Sequence, residues 1–178
     1  MSIISEIRVL SRPVTPTVVV RGTGVPFAEL EEFFDSAFGT LGALIQRGLL
    51  IPTGPAFALY HGVPPEALDV EVGFPVAAPV DSSDTSGASS SSAASTTSIS
   101  EALRAAGAET SELPGGQRAT ATLRGGYDLL SQAWTELMEG LAAQGLKPGM
   151  PYWENYVTMP EPEGDPAENV TELVVPVE

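Results

Sequence analysis

Apolar residues recur every three or four positions in two stretches of the chain, a spacing that predicts two amphipathic helices. The first stretch is FAELEEFFDSAFGTLGALIQRGL, residues 27–49, and the second is LLSQAWTELMEGLAAQGL, residues 129–146. Gly145 stands where a helix-terminating glycine is expected. Most of the second stripe is interpreted as core, and Trp134 within it is either core or the wall of a ligand cavity.

Short segments that read as strands surround each helix, and they match in pairs. The pairs are VVVRGTG (18–24) with ATLRGGY (121–127), PAFALYHG (55–62) with PYWENYVT (151–158), and VEVGFPV (70–76) with TELVVPV (171–177). Each half of the chain therefore reads strand, helix, strand, strand. This repetition predicts an internal duplication and an α+β fold built from two tandem βαββ units.

A low-complexity segment separates the two halves. Residues 81–98, DSSDTSGASSSSAASTTS, are small and polar with no apolar face, so we expect a flexible linker. A short helix is predicted after it, in SEALRAAGA (100–108). The predicted organisation is a first βαββ unit at 1–80, a linker at 81–110 and a second βαββ unit at 111–178, which together form one domain.

The charge of the chain limits its partners. With 23 acidic and 8 basic residues the formal net charge is −15, which disfavours direct contact with nucleic acid or an anionic membrane. A cationic small molecule or a basic protein surface fits better, although the charge also serves solubility alone. Without cysteine, disulfides and thiolate metal sites are excluded. No signal peptide or apolar run of spanning length is visible, so we expect a cytoplasmic protein.

One predicted strand contains the residues that best indicate a binding or catalytic site. Alternation on GMPYWENYVT (149–158) places Glu154 on the same face as Tyr152 and Tyr156, and Trp153 on the other. Burial among rings raises the pKa of a carboxyl unless something compensates. A tyrosine hydroxyl, an arginine such as Arg124 or Arg21, or a cationic ligand held by cation–π contacts would each do so. The alternative is a glutamate on a solvated face.

Other candidate residues follow from the repeat. Phe57 and Tyr60 match Trp153 and Tyr156, and Glu71 matches Glu172. The expected ligand-binding set is Tyr152, Trp153, Glu154, Tyr156, Trp134, Phe57, Tyr60 and Glu172. No catalytic triad, phosphate loop or metal-ligand spacing is visible, so neither cofactor nor metal is expected.

Several pieces in order resemble the GyrI-like family of effector-binding domains, which occur in AraC- and MerR-type activators and also alone. They are the arginine–glycine strand end at 124–125, the W-E-x-Y strand at 153–156, the D-P pair at 165–166 and the closing T-E-L-x-x-P-V at 171–177. The resemblance implies an antiparallel sheet, two βαββ units related by a pseudo-twofold axis, and a ligand cleft between them. The first strand is expected near residue 5, which leaves no room for a preceding DNA-binding helix-turn-helix.

The resemblance also implies what the protein does. Family members bind lipophilic, often cationic compounds, with a central glutamate that matches Glu154 and a tyrosine that matches Tyr156. We therefore expect a stand-alone protein, monomer or dimer, that captures drug-like compounds. One alternative is a hydrolase of cyclopropane-type genotoxic natural products, in which Glu154 and Tyr156 would be catalytic. Another is an acidic modulator of a basic protein such as gyrase.

Overall fold

The structure is a computed structural model that describes residues 2–61, 68–77, 101–158 and 164–178. The linker predicted at 81–98 lies outside these residues. The strands are β1 (Arg8–Arg12), β2 (Thr15–Val25), β3 (Ala56–Tyr60), β4 (Leu68–Pro75), β5 (Glu109–Leu113), β6 (Gly116–Arg124), β7 (Tyr152–Tyr156) and β8 (Val170–Pro176). The helices are α1 (Leu30–Gln46), α2, of which residues 101–105 are described, and α3 (Leu130–Ala143).

The fold is α+β with antiparallel strands, as predicted. Every segment that reads as a strand in the repeat forms one, and both predicted amphipathic helices form. The short helix predicted in 100–108 is helical at residues 101–105. Gly145 follows α3 with a φ of 73°, a left-handed conformation that suits glycine at a helix end. Strand β5 was not predicted, because it begins at Glu109, within the segment predicted as linker.

The chain divides into two compact units. Unit 1 comprises Met1–Pro13, Pro55–Val63 and Pro114–Glu178, and unit 2 comprises Val14–Gly54 and Pro64–Leu113. Strands β1 and β3 come from the first half of the sequence but belong to the unit that holds most of the second half. The division into two tandem βαββ units, their pseudo-twofold relation and the cleft between them stay predictions.

Unit 1 contains five strands in the order β1-β6-β8-β7-β3. Helix α3 covers one face of this sheet, where Leu137 and Leu141 of the helix pack with Leu123 and Leu173 of the strands, all fully buried. The predicted apolar stripe of α3 is thus the core of the unit. Trp134 and Tyr152 lie at the margin of that core, partly buried.

Unit 2 contains three strands in the order β4-β2-β5, and α1 packs against β2 and β4. Strands β2 and β4 approach closely at Gly73, where an added Cβ atom would overlap the carbonyl oxygen of Val18. Glycine is therefore required at this position. Within the described part of the chain, no helix is long and apolar enough to cross a membrane.

Candidate functional site

Glu154 lies in the middle of β7 and is almost completely buried, with 4% of its surface exposed. The predicted alternation is correct, because Tyr152, Glu154 and Tyr156 share one face of the strand. The adjacent strand β3 places Ala58 opposite Glu154 and Ala56 opposite Tyr156. The solvated strand face considered from the sequence is excluded.

Three ring donors hold the carboxylate of Glu154. The indole Nε1–H of Trp134 donates to Oε1 at 2.7 Å. The hydroxyl of Tyr156 donates to Oε2 at 2.8 Å, and that of Tyr60 donates to the same oxygen at 3.4 Å. The donors come from α3, β7 and β3, all in unit 1, so elements from both halves of the sequence position one carboxylate.

The donor rings belong to a larger aromatic shell. Tyr152 stacks on Tyr60 with ring centroids 5.4 Å apart and meets Trp134 edge-on at 4.8 Å. Tyr127, in the turn before α3, meets Tyr156 edge-on at 5.9 Å. Such stacked and edge-to-face contacts fix the ring planes and so fix the direction of their donors.

The electrostatic state of Glu154 follows from this enclosure. Burial raises the pKa of Glu154 above its ordinary value of 4.5, and the hydrogen bonds from Trp134, Tyr156 and Tyr60 partly offset that rise. Burial, together with the negative charge of Glu154, raises the pKa values of Tyr60 and Tyr156 well above the ordinary range. The tyrosines therefore stay protonated and act as donors.

No arginine or lysine among the described residues forms an ion pair with Glu154. Of the two arginines considered from the sequence, Arg21 instead pairs with Glu71 at 3.0 Å and with Glu109 at 3.1 Å, and Arg124 is exposed. Tyrosine and indole donors compensate the buried carboxylate, so the first of the three arrangements considered is the one observed.

Glu71 provides an internal comparison, because it is equally buried but has a cationic partner. It is 2% exposed, receives a hydrogen bond from Ser111 at 2.7 Å and pairs with Arg21. A buried charge with such a partner is typical of structural ion pairs. Within the described part of the chain, Glu154 differs in having only neutral donors.

Three residues of the predicted ligand-binding set lie on the opposite face of the strands. The register places Phe57 opposite Asn155 and places Glu172 opposite Asn155 from the other side, so both share the face of Trp153. Asn155 donates to Glu172 at 2.8 Å. The structure thus brings five of the eight predicted residues together: Tyr60, Trp134, Tyr152, Glu154 and Tyr156.

Tyr127 joins the shell without having been predicted. The alternation of β7 gives no information about it, because it lies before α3 in a separate segment, RGGYDLL. Within the described residues, no group of three or more His, Asp or Glu side chains is placed to hold a metal ion.

Comparison with known proteins identifies the family. The model of the GyrI-like small molecule binding domain matches residues 5–178. The chain belongs to this family. No curated protein matches it. The resemblance seen in the sequence is therefore confirmed.

Solved structures share the GyrI-like fold at low sequence identity. A cryo-EM structure of an EcmrR–DNA complex has a TM-score of 0.68 at 20% identity and covers 99% of this chain, which spans only 58% of that chain. A hydrolase from Listeria innocua has a TM-score of 0.61 at 13% identity, covering 97% and 92% of the two chains. SAV2435 bound to tetraphenylphosphonium has a TM-score of 0.58 at 12% identity, covering 98% and 94%.

Proposed function

We propose that this GyrI-like chain captures lipophilic or cationic drug-like compounds at the aromatic shell around Glu154. The observation that carries the proposal is a buried carboxylate held only by neutral ring donors, with no basic partner among the described residues. A bound cation would supply the missing positive charge. Aromatic faces would add about 0.5–2 kcal/mol each through cation–π attraction.

The chemistry of the shell favours a delocalised organic cation over a metal ion or a small amine. Tetraphenylphosphonium, the ligand of SAV2435, is a cation surrounded by four phenyl rings. Such a cation is weakly hydrated, so moving it beside a desolvated carboxylate costs little, and its rings can stack on tyrosine and indole. The net charge of −15 would also attract cations toward the protein.

Ligand entry requires a ring to move, because Glu154 is only 4% exposed. Tyr152 is the part-exposed ring between Tyr60 and Trp134. We assign it the role of the movable wall, since it is part-exposed and contacts two of the donor rings, while the bond that Tyr156 donates does not involve it.

Isothermal titration with tetraphenylphosphonium chloride tests the proposal, with neutral triphenylphosphine oxide as the uncharged comparison. In Glu154→Gln the amide oxygen still accepts from Trp134, and the amide N–H can donate to the Tyr156 hydroxyl, which then accepts instead of donating. The shell is thus retained while the charge is lost. We expect it to weaken binding of the cation by about tenfold or more, which corresponds to about 1.4 kcal/mol. Binding of the neutral compound should change little.

Glu139→Gln is the matched control, because Glu139 is an exposed acid on α3 and the substitution changes net charge equally. It should leave the affinity unchanged. Equal affinities for Glu154→Gln and the wild type, or equal losses in Glu154→Gln and Glu139→Gln, would contradict a role for this carboxylate in cation capture.

A second candidate function is hydrolysis of a reactive cyclopropane-type compound. The raised pKa of Glu154, caused by burial, is the observation that favours it, since a general base works best when its pKa lies near the operating pH. Glu154, held by Tyr156, would take a proton from water as the water oxygen bonds to one cyclopropane carbon. The strained C–C bond would break, and its electron pair would take up that proton. Mass spectrometry after incubation with a cyclopropane-bearing alkylator would decide. Absence of a water adduct, or an adduct formed equally by Glu154→Gln, would reject it.

A further inference from the structure

Four arginines share one face of the β1–β6 strand pair, although the chain as a whole is strongly acidic. They are Arg8, Arg12, Arg118 and Arg124. Leu10 of β1 lies opposite Arg118 of β6, and residues at even spacing on paired strands point to the same side. The odd positions of β6, such as Ala121, pack under α3. Half of the eight basic residues therefore stand on the face opposite that core.

Arg118 is the buried member of this group, with 8% of its surface exposed. Its guanidinium carbon lies 5.0 Å from the ring centroid of Trp153, and one terminal nitrogen donates to the carbonyl of Pro114 at 3.3 Å. Its Nε–H and the indole N–H of Trp153 are both buried, and neither has an acceptor among the described residues. Buried donors without an acceptor are rare and unfavourable.

Within the described ranges, the positive charge of Arg118 is not balanced by a carboxylate in contact with it. No carboxylate lies within ion-pair distance of it among the residues that the structure describes. Burial lowers the pKa of Arg118, the charge of Arg12 lowers it further, and Glu172 raises it. Arginine nevertheless keeps its proton at physiological pH. The result is a desolvated cation beside a second cation, with one acidic side chain in the vicinity.

We propose that Arg118, which lies over the ring of Trp153, and the nearby Arg12 bind the carboxylate of a small organic acid on the face of β7 opposite Glu154. The Nε–H and terminal N–H groups of a guanidinium form a planar fork that matches a carboxylate. The indole beneath favours an acid with an apolar or aromatic body. Glu172 disfavours a doubly charged phosphate, because it repels the second charge. This site does not depend on the function proposed for Glu154.

Nuclear magnetic resonance titration with sodium benzoate, at constant ionic strength set with chloride, tests the site. The Nε–H signal of Arg118 and the indole signal of Trp153 should shift in a saturable way, because a donor without an acceptor gains one. Arg118→Lys keeps the charge but loses the fork, and we expect about tenfold weaker binding. Its effect on folding is checked by the dispersion of the remaining signals.

Two exposed or half-exposed positions keep the test independent of the buried arginine. Arg12→Gln should weaken benzoate binding by about two- to fivefold, and Glu172→Gln should strengthen it by a similar factor. Arg47→Gln, in unit 2, is the matched control for net charge and should change nothing.

Three results would overturn the proposal. One is no saturable shift with benzoate beyond that produced by chloride. Another is an equal shift with neutral benzamide, which would mean that only the ring is recognised. The third is tighter binding of inorganic phosphate than of benzoate, which would remove the assignment to a carboxylate.

Discussion

Removing single hydroxyl groups from the shell of Glu154 provides the sharpest test of the site. Tyr156→Phe deletes a donor 2.8 Å from Oε2, and hydrogen bonds to charged groups contribute about 1.5–3 kcal/mol to the free energy of unfolding. Tyr60→Phe deletes one at 3.4 Å, close to the limit for a hydrogen bond, and we expect it to cost less than about 1 kcal/mol. Tyr127→Phe removes the same atom from a ring that meets Tyr156 only edge-on, so it should cost less than about 0.5 kcal/mol.

The loss in Tyr156→Phe should also depend on pH, because the hydroxyl stabilises the ionised form of Glu154. Above the raised pKa of Glu154 the full charge-assisted bond is lost. As the pH falls through that pKa the carboxyl becomes neutral, and the loss should shrink toward the roughly 0.5–1.5 kcal/mol of a neutral hydrogen bond. Tyr127→Phe should show little change over the same range.

Urea unfolding followed by circular dichroism, repeated over a series of pH values from acid to alkaline, measures these differences as shifts in midpoint at constant slope. Each variant is compared with Tyr127→Phe at the same pH, because the falling net charge affects all variants alike. Equal losses for Tyr156→Phe and Tyr127→Phe would refute the hydrogen-bonded arrangement. A Tyr156→Phe loss that stays constant across the whole pH series would refute the ionised carboxylate as its acceptor.

Three further predictions use the same unfolding assay. The pKa of Glu154 in the folded protein is raised above 4.5. The stability that this carboxyl contributes is therefore present below the unfolded-state pKa and is lost as pH rises through the folded-state pKa. Glu154→Gln should gain stability relative to the wild type as pH rises, and a constant difference would contradict this. Glu71→Ala should cost about 1–3 kcal/mol, because it removes the acceptor of Arg21 and Ser111, and a loss below that of an exposed Glu139→Ala would contradict the pairing. Gly73→Ala should destabilise by at least about 1 kcal/mol through backbone displacement of β2, whereas the exposed-helix control Gly39→Ala should not destabilise.

The local structure of the site was predictable because it depends on short-range periodicity. Alternation along β7 suffices to put Tyr152, Glu154 and Tyr156 on one face, and the three- to four-residue spacing of α3 suffices to identify its apolar stripe. What periodicity does not contain is the register between β3 and β7 or the rotation of α3 over the sheet. These decide that Tyr60 and Trp134, among many aromatic residues, reach the carboxylate.

The predicted ligand set combined residues from both faces of β3 and β7, because the presence of an aromatic residue does not indicate which face it lies on. The alternation of β7 already separated Trp153 from Glu154, but the repeat match brought Phe57 and Trp153 back into the set. In the structure both are buried on the face of Asn155. A large aromatic residue in a strand is evidence of burial, and only its register with neighbouring strands shows which face it helps to build.

An internal repeat does not predict which strands β1 and β5 pair with. Strand β1, from the first half, pairs with β6 of the second, and β5, which leads into the second half, pairs with β2 of the first. Similarity between two copies predicts that each contains the same elements, but it gives no information on which copy supplies a strand's partner. The units are therefore discontinuous in sequence even though each element was local in its pattern.

The contrast between Glu71 and Glu154 gives the strongest physical reason to connect the site with a ligand. Both carboxylates are buried, but Glu71 has an arginine in contact, while the partners of Glu154 among the described residues are all neutral donors. Burying a carboxylate without a counter-charge costs free energy that an apolar side chain of similar size would avoid. A cationic ligand bound at Glu154 would recover that cost on binding, so the same feature that destabilises the free protein strengthens the complex.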